Sequence, residues 1–199
     1  MVQAAAALET RTLILDAARQ VLREGGYAAL STREVAAAAG VPLSQIHYHF
    51  GSKQGLVIAL YQYLDAQLLA RQQALFQDPA LSLADQWDRA CDYLEEDMAS
   101  GYVRVGRELA AAGWADPEIG TMMHKSYLGW FQLLTGVARK FEARIGGFGS
   151  LSAEDVVALV ANAFVGAETL LLSGVQPDVL PIQTSLRRVG ALIRKLEQR

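Results

Sequence analysis

Residues 31–53 read STREVAAAAGVPLSQIHYHFGSK, and this stretch predicts two short helices joined by a tight turn. Ser31 followed by Glu34 is the pattern of a capping box, in which each side chain satisfies a backbone N–H group at the start of a helix. Gly40 lets that helix end through a positive φ, and Pro42 suits the start of the next one. Two short helices with a glycine in the turn are the pattern of a helix-turn-helix.

The second helix of this pair, residues 43–50, has an apolar edge and a polar face. Ile46 and Phe50 stand four residues apart and form the edge that would face a core. The other positions carry mainly Ser, Gln, His and Tyr, which suit contacts with base edges and phosphates when such a helix lies in the major groove. A small helical subdomain with a merely polar surface is the alternative that these residues leave open.

A lysine opens the third helix of the stretch. Gly51 ends the second helix, Ser52 can cap the third, and Lys53 takes its first position. A cation in the first turn opposes the helix dipole, so its presence suggests an external anion. A phosphate held jointly by the helix N-terminus and Lys53 would fit, although a merely solvated lysine explains the same residue.

The composition of the 199 residues favours an all-α protein. Hydrophobic residues make up 52%, only five prolines occur, and no Asn-Gly or Asp-Gly hairpin pair is present. The net charge is −3, so a DNA partner would need a local basic patch, built from Arg33, Lys53 and Arg11. The single cysteine, Cys91, excludes an intrachain disulfide and is consistent with a reducing cytosol.

No membrane segment or signal peptide is expected from the sequence. The longest nearly apolar stretch, residues 156–167, contains Asn162 and is too short to span a bilayer. No basic segment precedes the alanine run near residue 4, as a signal peptide would require. We therefore expect a cytoplasmic protein with no membrane partner.

Amphipathic periodicity and breaker residues predict nine helices in all. Ser82 with Asp85 and Ser152 with Asp155 repeat the capping-box pattern. The first four helices are expected at 10–24, between Ser31 and Gly40, at 43–50, and from Lys53 to a break at Asp78-Pro79. The next two run from Ser82 to about residue 100 and, after an interruption at Gly101-Tyr102, to about residue 112. The last three run from 116 to about 144, from 152 to 172, and from a link bracketed by Pro177 and Pro181 to near residue 198.

The N-terminal pattern resembles the TetR (tetracycline-repressor) family of bacterial transcription regulators. The residues that carry the resemblance are Gly26-Tyr27, Thr32–Ala36, Ala39-Gly40-Val41, His47–Phe50 and Ser52-Lys53 with Leu56. The resemblance implies the nine-helix TetR-like fold. It also implies a helix-turn-helix DNA-binding domain at residues 1–54 and a ligand-binding and dimerisation domain at residues 55–199.

The resemblance further implies roles for single residues. Phosphate contacts are expected from Thr32, His49 and Lys53, and base contacts from Arg33, Ser44, Gln45 and Tyr48. His47 stands where the family usually has a Tyr that contacts phosphate. Histidine is shorter than tyrosine and can carry a pH-dependent charge. Leu43 stands where a polar residue is frequent, so it would meet a thymine methyl group or be half buried.

The two histidines of the second helix do not suggest a metal site. Residues two apart on a helix point about 200° away from each other, so one ion could not bind both His47 and His49. No zinc-ligand spacing, phosphate-binding loop or Gly-x-Ser-x-Gly motif occurs, and neither a cofactor nor a catalytic residue is expected.

The larger domain is expected to form a homodimer, because a palindromic operator requires two copies of the recognition helix. Two apolar stripes on the last two helices are candidates, although each stripe could instead serve the protomer's own core. The expected interface residues are Val160, Phe164, Ala167, Leu171, Leu186, Val189 and Ile193.

Aromatic and methionine residues cluster between positions 87 and 131 and could line an adaptable, largely apolar effector pocket. Core packing is the commoner use of each single residue. The expected ligand-binding residues are Trp87, Tyr93, Met98, Tyr102, Trp114, Met123, Tyr127, Trp130, Phe131 and Glu168. Glu108 and His124 are further polar candidates for the interior.

The sequence thus predicts a DNA-binding transcription regulator that is not an enzyme, and a repressor in preference to an activator. A small effector would change the spacing of two recognition helices, about 34–36 Å apart, and release double-stranded operator DNA. The alternative is a helical ligand-binding or scaffolding protein that has lost DNA binding.

Overall fold

The computed structural model describes residues 2–198, and it describes their side chains except those of residues 2–6, 27 and 28. Tyr27, part of the family pattern, therefore has no described side chain. Nine α-helices and no β-strand occur in the described range, which confirms the predicted all-α fold. The helices are α1 (Val2–Ala29), α2 (Thr32–Ala39), α3 (Leu43–Phe50), α4 (Lys53–Gln77), α5 (Leu83–Ala99), α6 (Tyr102–Ala112), α7 (Pro117–Ile145), α8 (Ala153–Leu172) and α9 (Ile182–Glu197).

The first helix is longer at both ends than the prediction of 10–24. It begins at Val2, since the alanine-rich N-terminal stretch has a high helix propensity. It also continues past the two glycines that were expected to end it. Gly26 has φ 69° and ψ −173°, so the helix kinks there before it ends at Ala29.

Capping interactions set the starts of several helices. Ser31 Oγ accepts a hydrogen bond from the Glu34 N–H at 3.1 Å, which is one half of the predicted capping box. The full box forms at α8, where Ser152 Oγ accepts from the Asp155 N–H and the Asp155 carboxylate accepts from the Ser152 N–H. Such caps stabilise a helix start by about 1 kcal/mol.

One compact unit consists of the residues up to Gln67 together with Asp97–Ile119. The largest fully buried side chains of this unit come from α1 to α4, from α6 and from the link between α1 and α2. They are Ile14, Leu15, Leu22, Leu30, Val35, Ile46, Leu56, Leu60 and Val105. Tyr61 and Tyr102 stack with ring centroids 5.4 Å apart. The Tyr102 hydroxyl donates to Asp65 Oδ1 at 2.8 Å, and burial raises the pKa of Tyr102 well above its ordinary value.

The second compact unit consists of Leu68–Glu96 together with the residues from Gly120 onward. Within it α9 runs antiparallel to α5. Trp87 Nε1 donates to the Leu186 carbonyl at 2.7 Å, and Gly190 leaves no room for a side chain against Asp88. We refer to these contacts, with the three polar bridges described next, as the α5–α9 ladder.

Three polar bridges complete the α5–α9 ladder. Arg187 binds both Asp92 and Glu95 at 2.8 Å, and Arg194 binds Asp85 and Asp88 at 3.0 and 3.2 Å. Glu197 accepts the backbone N–H groups of Leu83 and Ala84 at 2.9 and 3.3 Å. The end of α9 therefore caps the start of α5, which lacks partners for its first N–H groups within its own helix.

The two compact units do not coincide with the predicted division at residue 54. The first unit takes in α6 and the first part of α4 as well as the helix-turn-helix. Long-range contacts such as those of Tyr102 cause this, and a boundary chosen along the sequence could not include them. The assignment of functions to residues 1–54 and 55–199 stays a prediction.

The helix α8 is longer than the strictly apolar stretch on which the membrane prediction was based. Among the described helices it is the one whose length and composition would allow it to cross a bilayer, with a mean hydropathy of 1.7 over 18 residues. Only 22% of that window is buried in the structure. Most of this apolar helix is therefore not packed in the core of the chain.

Substitution Gly55→Ala is expected to destabilise the fold. A Cβ atom at this position would collide with the Phe50 carbonyl oxygen, which is backbone and cannot move aside. We expect a loss of about 1–3 kcal/mol in the free energy of unfolding, measured by urea denaturation. The matched control is Gly136→Ala in α7, where a Cβ would meet nothing within 4 Å and should stabilise the helix by about 0.5–1 kcal/mol. Equal effects of both substitutions would contradict this account.

The thiol of Cys91 is expected to be unreactive in the native protein. Cys91 lies buried in α5, and burial raises the pKa of its thiol to about 11. Because the thiolate is the reactive form, the rate of reaction with a disulfide reagent should be low at pH 8 and rise about tenfold per pH unit up to pH 10. The same chain in denaturant should react at once, and a native rate equal to the denatured one would refute the prediction.

Candidate nucleic-acid interface

The helix α3 presents a polar face to solvent. Ile46 is completely buried on its inner side. Ser44, His47 and Tyr48 are exposed on the outer side, and 76% of the Tyr48 surface is accessible. A helix that buries one apolar edge and exposes such side chains has the form of a recognition helix.

The turn between α2 and α3 sets the orientation of the two helices relative to each other. Gly40 has φ 64° and ψ 30°, a left-handed conformation that suits glycine, and its N–H donates to carbonyl groups at the end of α2. Val35 and Ala36 are buried, whereas Arg33 is exposed near the start of α2. The predicted order of helix, glycine turn and second helix is confirmed.

The end of α3 holds two imidazole rings in different ways. His47 Nδ1 donates to the Gly51 carbonyl oxygen at 3.2 Å, which leaves Nε2 as its second polar atom. His49 is half buried and lies edge-on to the ring of Tyr48, with centroids 4.9 Å apart. Phe50 lies beneath the guanidinium of Arg11 at 5.5 Å, which keeps that cation next to α3.

The predicted DNA-binding residues differ in accessibility. Arg33, Ser44, His47, Tyr48 and Lys53 are exposed. The remaining four, Thr32, Leu43, Gln45 and His49, are half buried. For Leu43 this agrees with one of the two alternatives drawn from the sequence.

The first turn of α4 is bound to other parts of its unit. Ser52 Oγ accepts the Gly55 N–H at 3.0 Å and caps the helix as predicted. Gln54 Nε2 donates to Asp116 Oδ2 at 2.9 Å, while the other oxygen of Asp116 accepts from the N–H groups of Glu118 and Ile119. Asp116 therefore caps α7 and holds the turn that begins with Lys53.

The charge of Lys53 acts on a carboxylate within the protein. Burial raises the pKa of Glu108, and the positive charges of Arg104 and Lys53 lower it. Of the two cations, Arg104 has the larger effect on Glu108. Sequence reasoning missed the role of Gln54, because its partner Asp116 lies 62 residues away along the chain.

Several predicted ligand-binding residues serve the structure in other ways. Trp114 is 90% exposed and cannot line an enclosed pocket. Tyr102 is committed to Asp65 and Tyr61, and Trp87 packs edge-on against Phe164 while its indole N–H binds Leu186. Trp114 is therefore a surface residue, and Tyr102 and Trp87 have packing roles in place of the predicted ligand contacts.

The remaining members of that set are distributed over both units. The guanidinium groups of Arg71 and Arg89 lie over the ring of Tyr93, at 3.9 and 4.6 Å from its centroid, which is also a packing role. Met98 belongs to the first unit. In the second unit Met123 is buried, and Tyr127, Trp130, Phe131 and Glu168 are partly accessible. Glu108 and His124 are exposed, so neither lies in the interior as was expected.

The residues predicted for the dimer interface are not the exposed apolar side chains of α8 and α9. Phe164, Ala167 and Leu186 are buried in their own protomer, which corrects their assignment to a surface. The other four, Val160, Leu171, Val189 and Ile193, are half buried. The exposed apolar side chains nearby are instead Leu159, Leu170 and Leu192.

Within the described residues, no group of three or more His, Cys, Asp or Glu side chains is arranged to hold a metal ion.

A known protein family matches the part of the chain that contains this site. Residues 14–60 match the family described as bacterial regulatory proteins, tetR family. The HTH-type transcriptional regulator UidR of Escherichia coli (strain K12) is 26% identical over 125 residues, which are 60% of this chain and 59% of UidR. The HTH-type transcriptional regulator CymR of Pseudomonas putida is 39% identical over 72 residues, 36% of either chain.

Solved structures share the fold over almost the full length. A transcriptional regulator from Saccharomonospora viridis, solved in complex with choline, has a TM-score of 0.72 at 21% identity, covering 90% of this chain and 94% of its own. The matched segment 14–60 contains α2, α3 and the start of α4, where the polar face and its supporting turn lie. Residues 14–60 of this chain therefore match the TetR family of bacterial regulatory proteins, and the similar proteins UidR and CymR are HTH-type transcriptional regulators.

Proposed function

We propose that this protein is a DNA-binding transcription regulator. The polar face of α3, with Ser44, His47 and Tyr48 exposed opposite the buried Ile46, is the observation that carries the proposal. It lies inside the segment that matches the family, and the relatives UidR and CymR are named as regulators of the same kind.

The exposed residues divide into two kinds of DNA contact. Lys53 and His47 are placed near the ends of helices and offer cationic or N–H groups to phosphates, which position a protein without reading sequence. Arg33, Ser44 and Tyr48 are exposed and are proposed to contact bases. Thr32, Gln45 and His49 are half buried, so we assign them shorter contacts that depend on close approach of the DNA.

A homodimer is proposed to form through the exposed apolar face of α8 and α9. Leu159 is 62% exposed and Leu192 59%, and the exposed positions 159, 163 and 170 of α8 recur at helical spacing. Covering this face would bury the apolar surface of α8 that the protomer's core leaves open. A dimer would supply the two copies of α3 that a palindromic site requires.

An effector of largely apolar character is proposed to regulate DNA binding, in the sense of a repressor released by its ligand. The side chains that remain candidates to contact it are Met123, Tyr127, Trp130, Phe131 and Glu168. Tyr127, Trp130 and Phe131 form one aromatic group on α7, with centroid distances of 6.0 and 5.7 Å. The Saccharomonospora viridis structure, which was solved in complex with choline, supports the proposal that this fold can hold a small molecule.

Substitutions on the polar face should weaken operator binding in two distinguishable ways. Tyr48→Ala removes a base contact and should cost about 1–3 kcal/mol of binding free energy on a selected palindromic duplex. Lys53→Ala removes a phosphate contact, so it should weaken binding to all sequences and reduce the salt dependence by about one counterion per subunit. Fluorescence anisotropy at several KCl concentrations measures both effects.

The matched control for these substitutions is Lys125→Ala, which removes an exposed lysine from α7. It should leave the affinity and its salt dependence unchanged. If the wild-type protein is folded and fails to bind any duplex recovered from a random pool at low salt, the proposed function is wrong.

Substitution Leu159→Glu should separate the dimer. It places two charges at the proposed interface and, because Leu159 is exposed in the protomer, it should leave the protomer folded. Sedimentation velocity should show a species of about the chain mass, 21.6 kDa, in place of twice that value. The control Leu13→Glu, on an exposed leucine of α1, should remain dimeric. A monomeric wild type, or a dimeric Leu159→Glu variant at micromolar concentration, would exclude this interface.

A further inference from the structure

Two hydrogen bonds join His47 to Gly51 at the end of α3. The Gly51 N–H donates to the His47 carbonyl oxygen at 2.9 Å, and the His47 ring nitrogen Nδ1 lies 3.2 Å from the Gly51 carbonyl oxygen. Gly51 has φ 72°, a left-handed value that suits glycine, so the turn depends on this residue. The imidazole ring is therefore held against the turn between α3 and α4.

The bond to Gly51 decides which ring nitrogen carries the proton when the imidazole is neutral. A carbonyl oxygen only accepts hydrogen bonds, so Nδ1 is the donor and holds the proton. A neutral imidazole has a single N–H group, and Nε2 is then an acceptor with a lone pair. Moving the proton to Nε2 would break the bond to Gly51 and set two lone pairs against each other 3.2 Å apart.

The other ring nitrogen, Nε2, belongs to the exposed polar face of α3. His47 is exposed there together with Ser44 and Tyr48, and Nε2 has no hydrogen-bond partner among the described residues. A phosphate oxygen is also an acceptor, so the lone pair of the neutral ring cannot bind it. Only the imidazolium, in which Nε2 carries a second N–H group, can donate to a phosphate.

We infer that His47 binds a DNA phosphate through Nε2 only when its imidazole is protonated, so that the affinity for DNA rises as the pH falls from 8 to 6. The inference rests on the proposed DNA-binding function. On binding, each subunit takes up a proton from the solvent at this ring, and by linkage the affinity increases over the range in which the ring gains its charge. Because the partner is a phosphate, the effect acts on every DNA sequence alike.

Other ionisable side chains lie on the elements around α3. They include Arg11 of α1, Arg33 and Glu34 of α2, Lys53 of α4 and, at the start of α7, Asp116, which binds Gln54. Arginine, lysine, aspartate and glutamate ordinarily keep one charge between pH 6 and 8, so they affect the level of DNA affinity and not its change with pH. His49, half buried on α3 itself, is the other histidine of the first unit and has to be removed in the test.

The test measures Kd for a duplex of mixed sequence at low salt, at pH 6 and at pH 8, by fluorescence anisotropy. The wild type should bind about two- to fivefold more tightly per subunit at pH 6, the range expected for an exposed charge pair. The salt dependence should steepen by about one counterion per subunit at pH 6, because a further phosphate is then neutralised. In a His49→Gln background, where His47 is the one histidine of the first unit, the difference between the two pH values should persist.

Two substitutions of His47, made in the same background, separate the roles of its ring nitrogens. His47→Asn keeps an amide donor near the position of Nδ1 and lacks Nε2, so its Kd should be equal at the two pH values. His47→Gln carries an amide N–H near the position of Nε2 at either pH, so it should bind more tightly than its parent at pH 8, again without pH dependence. The matched control is His124→Gln in the wild-type chain, on an exposed histidine of α7, which should keep the full difference.

A second measurement needs no DNA. A long-range proton–nitrogen NMR spectrum of the free protein at pH 8 should show the neutral His47 ring with its proton on Nδ1. Thermal melts at both pH values check that each variant is folded, which the exposure of His47 leads us to expect.

Three results would overturn the inference. They are an equal Kd of the wild type at pH 6 and pH 8, a pH difference that survives His47→Asn in the His49→Gln background, and a neutral His47 ring with its proton on Nε2. If the wild type binds DNA and any one of them is found, the inference fails and the proposed function stands. If the folded wild type binds no duplex at either pH, the proposed function fails and the inference fails with it.

Discussion

The close approach of Gly55 to the Phe50 carbonyl oxygen is the constraint on which the presentation of α3 depends. With Ser52 capping the same turn, it fixes where α3 ends and in which direction α4 departs. Ile46 can then reach the core formed by α1 and α2 while the opposite face stays in solvent. The backbone positions α3, so the fold does not require particular polar side chains on its exposed face. Those side chains can therefore suit a ligand.

In the second unit, the contacts between α5 and α9 decide which surfaces remain open. The α5–α9 ladder uses the indole of Trp87, the absence of a side chain at Gly190 and three sets of charges to occupy one side of α9. Phe164 packs against the same indole, so one side of α8 faces the interior of this unit. The apolar residues on the other side of each helix, such as Leu159 and Leu192, are left without a use inside the protomer.

Local signals were sufficient for much of the fold and failed where distant parts of the chain meet. Serine caps and breaker residues located nearly all helix boundaries, because each acts within a few residues of itself. The exposed and buried faces of α3 were also predictable from periodicity. On α8 the sequence could not distinguish Phe164, which is buried against Trp87, from the equally apolar Leu159, which is exposed. The hydrogen bond between Gln54 and Asp116, which are 62 residues apart, carried no local signal at all.

The cap that Glu197 places on α5 has a consequence for the order of events during synthesis. The N–H groups of Leu83 and Ala84 receive a carboxylate that lies 114 and 113 residues later in the chain. The first unit contains no residue beyond Ile119, so its core can close before α9 has been synthesised, whereas the start of α5 waits for α9.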